Sequence, residues 1–204
     1  MMKLKLLAGA IACLALWSIS TSAASAKICS TAGTGVSCGT GHGNVYRGPI
    51  SFALSESTAT LTSGFTNITC SASEGQGEVT NGESGVGNLT SLTFSGCKDN
   101  MGNSCTETSS ATNEAPWEFT TALNVNTNGV VRIKKSTTEW SCILYTCKYI
   151  TGEYEGLVEG GETASIAFNK VIETKETGSS AFCSSTATLS GSYKIKTPDS
   201  LFIT

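Results

Sequence analysis

FTNITCSASEGQGEVTNGESGVGNLTSLTFSGCKDNMGNSC, residues 65–105, decides the fold class. Two short apolar runs, each carrying a cysteine, flank a stretch of Gly, Ser, Asn and Glu. Phe65–Cys70 reads as a strand with Ile68 and Cys70 on one face, since strand side chains alternate. Ser71–Gly87 holds five glycines and reads as a loop with a short strand at Glu78–Thr80. Asn88–Ser95 reads as a second strand that buries Leu92 and Phe94. Lys98–Ser104 is turn chemistry between Cys97 and Cys105. The pattern is strand, loop, strand, closed loop, with no catalytic signature in it.

Toward the N-terminus, Lys3 and Lys5 precede an apolar run, Leu6 to Ile19. That run is short for a membrane span and has the flanks of an export signal. Ala24-Ser25-Ala26 is a small-x-small cleavage pattern, which places the signal at residues 1–26. A looser lipoprotein-like pattern, Ala10-Ile11-Ala12-Cys13, offers a lipid-anchored alternative through Cys13. It lacks the usual leucine at its first position. Residues 27–48 form a Gly-rich N-terminal segment, and residues 49–204 a single domain. No later run is long enough to cross a bilayer.

Removing residues 1–26 takes two of 13 basic residues and none of 16 acidic ones, leaving 11 − 16 = −5. No basic patch marks a nucleic-acid partner. Eight of the nine cysteines remain: Cys29, Cys38, Cys70, Cys97, Cys105, Cys142, Cys147 and Cys183. An even set in an exported chain is a disulfide framework. Eight cysteines allow about 105 pairings. The expected set is Cys29–Cys38, Cys97–Cys105, Cys147–Cys183 and Cys70–Cys142. Thr106–Pro116 resembles a linker. Five cysteines precede it and three follow, so full pairing sends at least one bridge across it and argues for one domain.

The rest of the chain is strand-like. Ile50–Thr62 contains one or two strands, Trp117–Val125 and Val130–Thr137 form a hairpin, and Trp140–Ile150 reads as a central strand region. Glu153–Val158 and Ala164–Ile172 follow. Ala187, Leu189, Gly191, Tyr193 and Ile195 alternate with polar residues, the period-two pattern of a half-buried strand. The fold class expected is all-β: a disulfide-stabilised antiparallel β-sandwich with Greek-key links. Phe94, Trp117, Phe119, Leu123, Ile143, Phe168, Leu189 and Tyr193 should form its core. In the hairpin, a three-residue loop at Thr127–Gly129 sets Leu123 opposite Ile133 and Val125 opposite Val131. One face then becomes apolar and the other polar.

The ending FCSSTATLSGSYKIKTPDSLFIT, together with the ITCSAS, LTFSGC and PW segments, resembles a loose group of secreted, cysteine-containing all-β proteins of actinobacteria. The similarity covers most of Phe65–Thr204. That group has no known activity, so the resemblance implies export and β structure and transfers no site.

Chemistry-bearing constellations are thin. His42, the lone histidine, sits in Gly-His-Gly without a nucleophile elbow anywhere in the chain. Asn124-x-Asn126-x-Asn128-Gly129 imitates the start of an EF-hand loop but lacks carboxylates, and Asp99, Asn100 and Asn103 offer calcium a single carboxylate. Glu153, Glu155 and Glu159 share strand parity and are the best enzymatic lead, as a glycosidase-like pair. Trp117, Trp140, Tyr145, Tyr149, Tyr154 and Tyr193 would stack sugars if exposed. The expectation is therefore a secreted, non-enzymatic protein with an extracellular or cell-surface binding or structural role. It has no catalytic, cofactor or metal residues. Its extracellular ligand is unknown, with carbohydrate one candidate class. The alternative is a secreted hydrolase acting on glycans through a carboxylate pair.

Overall fold

A computed structural model of the chain describes residues 25–31, 38, 45–55, 58–109, 111–124 and 129–204. Its strands, in chain order, are β1 (Ile28–Cys29), β2 (Gly48–Leu54), β3 (Ala59–Ser63), β4 (Thr66–Cys70), β5 (Ala72–Asn81), β6 (Val86–Ser95), β7 (Cys97–Asp99), β8 (Ser104–Ser109), β9 (Trp117–Ala122), β10 (Gly129–Ile133), β11 (Ser136–Cys142), β12 (Thr146–Thr151), β13 (Tyr154–Glu159), β14 (Ser165–Lys175), β15 (Thr186–Thr197) and β16 (Phe202–Ile203). The protein is all-β and antiparallel, and four disulfides hold it. The Greek-key sandwich is not confirmed. Pairing instead runs β10-β13-β14-β12-β11-β8-β7-β4-β3-β15-β2-β5-β6-β9 and closes on itself. A further β14–β15 pairing crosses that circuit and divides it into two closed rings.

The first ring is β15-β2-β5-β6-β9-β10-β13-β14, and its interior is apolar. Ile50, Phe52, Val79, Leu89, Phe119, Val131, Ile133 and Val158 are all buried. Three glycines on its strands lie beneath phenylalanine rings. A Cβ on Gly75 would come within 2.1 Å of the ring of Phe52, its register partner. One on Gly87 would come within 2.2 Å of Phe119, again its partner, and one on Gly156 within 2.6 Å of Phe168. Glycine in a strand interior often marks such a close approach. A cavity of about 50 Å³ remains in the middle, lined by Ile28, Phe52, Phe119, Ile166 and Ile203 among others. The β1–β16 pair brings Ile28 and Ile203 to one end of this ring.

The second ring is β14-β12-β11-β8-β7-β4-β3-β15. It carries three of the four disulfides and most of the buried polar side chains. Cys70–Cys97 joins the β4–β7 pair, Cys105–Cys142 joins β8 to β11, and Cys147–Cys183 ties β12 to the β14–β15 connection. β14 and β15 serve both rings. Their pairing slips between Phe168 and Val171, where Lys170 has φ 55° and its N–H donates to Ser190 Oγ at 2.9 Å. Such bulges bend a strand, and here the strand passes from one ring to the other.

Several expectations change. The Gly-rich stretch read as a loop is mostly β5, a ten-residue strand paired along its length with β6. Trp140–Ile150 is a hairpin that turns at Ile143-Leu144, so Ile143 is exposed. Leu123 lies beyond the end of β9 and is exposed too. The other six expected core residues are buried, Phe168 partly. In the β9–β10 hairpin Ile133 faces Phe119 and Val131 faces Thr121. The expected face is kept, but the register moves by four residues, because Phe119 replaces Leu123 as the partner that Ile133 buries against. Val125, Asn126, Thr127 and Asn128 lie outside the described residues.

All eight cysteines from Cys29 to Cys183 are paired. Cys29–Cys38 and Cys147–Cys183 are as expected, but Cys97–Cys105 and Cys70–Cys142 give way to Cys70–Cys97 and Cys105–Cys142. The reason is register. β4 lies against β7 with Thr69 opposite Lys98, and Cys142 faces Cys105 directly. Cys97 also faces Cys105. The four cysteines therefore form a row across four adjacent strands. Cys105–Cys142 spans the linker-like stretch, as the odd-and-even count requires.

Candidate binding end and the buried polar layer

Four connections of the cystine ring meet at one end. The β3–β4 turn is Gly64-Phe65, between the paired residues Ser63 and Thr66. Gly64 has φ 58°, the left-handed conformation that two-residue hairpins favour. The β7–β8 turn closes with Asp99 N–H to Asn103 O and Gly102 N–H to Asp99 O. The β11–β12 turn closes with Cys142 N–H to Tyr145 O at 2.9 Å. The β14–β15 connection is pinned by Cys183, by Lys175 Nζ donating to Ser180 O and Cys183 O, and by Ser180 N–H to Thr146 O.

Links run from each tip to the next. Asn100 Nδ2 donates to Phe65 O at 3.1 Å, Cys105–Cys142 bridges the second and third hairpins, and Ser184 N–H donates to Ser63 Oγ. The apolar side chains at the tips point outward. Phe65 is 99% exposed, Met101 63%, Ile143 72%, Leu144 64% and Phe182 73%. These are five of the eight large exposed apolar side chains among the described residues, so the end is a cluster and not a scatter. Residues 64–67, 100–104, 143–147 and 177–185 contain no Asp, Glu, Lys or Arg.

Behind this end Asp99 is buried. It accepts from Met101 N–H, Asn103 N–H and Asn103 Nδ2. Burial pushes its carboxyl up, but the hydrogen bonds from Asn103 and Met101 outweigh that and hold it below the usual range. Those donors already occupy the Asp99 oxygens on which a calcium site would depend. Asp99 also lies near the sulfurs of Cys105 and Cys142. Those sulfurs are bonded to each other and offer no thiolate to a metal.

Deeper in the ring lies a polar layer. Trp140 Nε1 donates to Thr138 Oγ1 at 3.1 Å, Thr138 Oγ1 donates to Glu173 Oε2 at 3.5 Å, and the Tyr149 and Ser63 hydroxyls are bonded. Burial raises Glu173 to about 7. Burial and the charge of Glu173 raise Glu107 to about 8, and Glu107 Oε1 is buried without a hydrogen-bond partner. A pair of raised carboxyls is the chemistry expected of a hydrolase. Glu173, however, is only 2% exposed, and neither carboxyl lines the apolar cavity or the cleft beside Trp117. Sequence reading missed both: Glu107 lay in the linker-like stretch and Glu173 just past an assigned strand. Their parity with Cys105 and Val171 is the signal that places them inside.

The residues singled out from sequence fare differently. Glu153, Glu155 and Glu159 are exposed on or beside β13, and Glu155 pairs with Arg132 at 2.7 Å. Trp117, Trp140, Tyr145, Tyr149 and Tyr193 are buried, and Tyr154 is partly buried, so they form no stacking platform. The cleft of about 400 Å³ beside Trp117 holds one carboxylate, Glu118, which pairs with Lys134 at 2.6 Å. His42 and Cys13 lie outside the described residues. So do Asn126 and Asn128 of the EF-hand-like run.

No family model, no curated protein and no solved structure matches the chain.

Proposed function

We propose that this chain is a secreted, non-enzymatic binding protein that uses the uncharged end of its cystine ring as the binding surface. The observation that carries this reading is the cluster of Phe65, Met101, Ile143, Leu144 and Phe182 on four cross-linked tips. Monomeric proteins seldom expose such a cluster unless it meets a partner. The disulfides are consistent with an oxidising, extracellular location, in keeping with the basic and apolar N-terminal run and with the resemblance to secreted actinobacterial proteins.

The rival reading, a glycan hydrolase, has weaker support. Its surface carboxylates include one engaged by Arg132, and of its raised carboxyls Glu173 is buried and Glu107 has its Oε1 shut off from solvent. Carbohydrate as ligand loses its main support with the burial of Trp117, Trp140, Tyr145, Tyr149 and Tyr193.

Cosedimentation with an envelope fraction of the producing cells tests the binding end. Wild-type protein is expected to sediment, and Phe65→Ser/Ile143→Ser/Phe182→Ser to stay in solution with its four disulfides intact. Equal sedimentation of the two would overturn the reading.

A further inference from the structure

We propose that the partner of this end is a lipid bilayer, into which the four tips insert their apolar side chains. The inference rests on the binding-end reading and names its partner. Three observations favour lipid.

The first is shape. The apolar groups stand on four separate connections, 63–99% exposed, and of the five only Ile143 and Leu144 line the cleft of about 420 Å³ between the β11–β12 turn and the β14–β15 connection. A protein partner would need a matching pocket for each, whereas fluid acyl chains fill around any protrusion. The second is charge. Inserting a tip strips its water, which is costly for charged side chains. The tips carry none, and their remaining side chains are mostly Ser, Thr and Asn, suited to the headgroup level. The missing Lys and Arg also exclude attraction to anionic lipid as the driving force. The partner is thus a zwitterionic surface, bound independently of salt. The third is backbone satisfaction. Polar backbone groups are tolerated near hydrocarbon when bonded internally. The turns of β7–β8 and β11–β12 close with their own N–H···O bonds, and the β14–β15 connection bonds to Thr146 and Lys175.

The test is flotation of the processed, oxidised protein, its N-terminus verified by mass, with protein-free phosphatidylcholine vesicles. Expected is flotation unchanged between 50 and about 500 mM salt, a range that shortens the Debye length severalfold. The Phe65→Ser/Ile143→Ser/Phe182→Ser variant should lose roughly tenfold or more in partitioning, as expected when apolar anchors are removed. A second variant, Phe65→Trp, reads insertion directly: its emission should shift to the blue and be quenched by brominated lipid. Absence of flotation, flotation only with anionic lipid, or flotation unchanged in the triple variant would overturn the proposal. So would a wild-type dimer that the triple variant converts to monomer without any vesicle binding, since a second copy would then cover the end. Tip-dependent binding to the envelope fraction with no binding to protein-free vesicles would overturn the lipid partner and leave the binding end standing.

Discussion

The two rings of this protein share a hairpin and have equal numbers of strands, yet they are held together differently. The apolar ring contains no disulfide. Its interior is Ile, Val, Leu and Phe, with phenylalanines laid over facing glycines around a small cavity. The cystine ring buries Ser63, Asp99, Thr138, Thr151 and Glu173 and carries three disulfides. Burial of apolar side chains, about 1.5–3 kcal/mol each, suffices for the first ring. In the second, buried polar groups weaken that term, and each covalent bridge restores about 3–4 kcal/mol by restricting the unfolded chain. The ring that depends on bridges is also the one with the candidate binding end. Rigid tips lose less entropy on binding.

Reduction should separate the rings most strongly. In reductant, amide exchange is expected to speed up first in β3, β4, β7, β8, β11 and β12, while β5, β6, β9 and β10 keep their protection. Simultaneous loss in both sets would show that the rings do not differ in what holds them. Cys105→Ser/Cys142→Ser alone should cost about 3–4 kcal/mol, measured by denaturant midpoint.

The polar layer gives the cystine ring a pH dependence that the apolar ring lacks. Glu173 and Glu107 are held at about 7 and about 8 in the folded chain, well above the ordinary carboxylate value they regain on unfolding. The folded state therefore keeps protons that the unfolded state has released. Stability is greatest near the unfolded value and falls as pH rises toward 8. A loss of about 1 kcal/mol per pH unit for each group is expected between pH 5 and pH 7. Glu173→Gln should flatten that slope, and a wild type more stable at pH 8 than at pH 6 would contradict it.

The apolar ring should instead be sensitive to added volume. Gly75→Ala or Gly87→Ala forces a methyl into a phenylalanine ring and should cost about 1–3 kcal/mol. Gly152→Ala, where nothing lies within 4 Å, should cost almost nothing. Thermal melts of the three variants decide it. A smaller effect than that of Gly75→Ala or Gly87→Ala is expected at the N-terminus. Ala26 is buried, its N–H donates to Thr121 O, and its carbonyl accepts from Thr121 Oγ1. A chain beginning at Ser25 should be about 1 kcal/mol more stable than one beginning at Lys27. Denaturant midpoints of the two chains check this.

The all-β class was legible because alternation such as Ala187 to Ile195 survives directly as inward-facing positions of β15. β5 was not. Its glycines carry the local signal of a loop, and the ring that covers Gly75 sits on another strand, at Phe52. The Ile143-Leu144 turn was hidden for the opposite reason: its residues have strand propensity and no turn chemistry, so nothing local marks them as exposed. The disulfide pairing was half legible. Short separation favours Cys97 with Cys105, whereas the register of β4 on β7 and of β8 on β11 favours their outer neighbours.

That row of four cysteines permits the most direct test of the architecture, a tryptic map of the unreduced protein. Cleavage after Arg47, Lys98 and Arg132 separates peptides 48–98 and 99–132. Cys70–Cys97 leaves peptide 48–98 free, with one internal bridge. Cys105–Cys142 links peptide 99–132 to peptide 136–148, which Cys147–Cys183 links in turn to peptide 176–194. The two-ring account predicts that pattern. A bond joining peptide 48–98 to peptide 99–132 would contradict it.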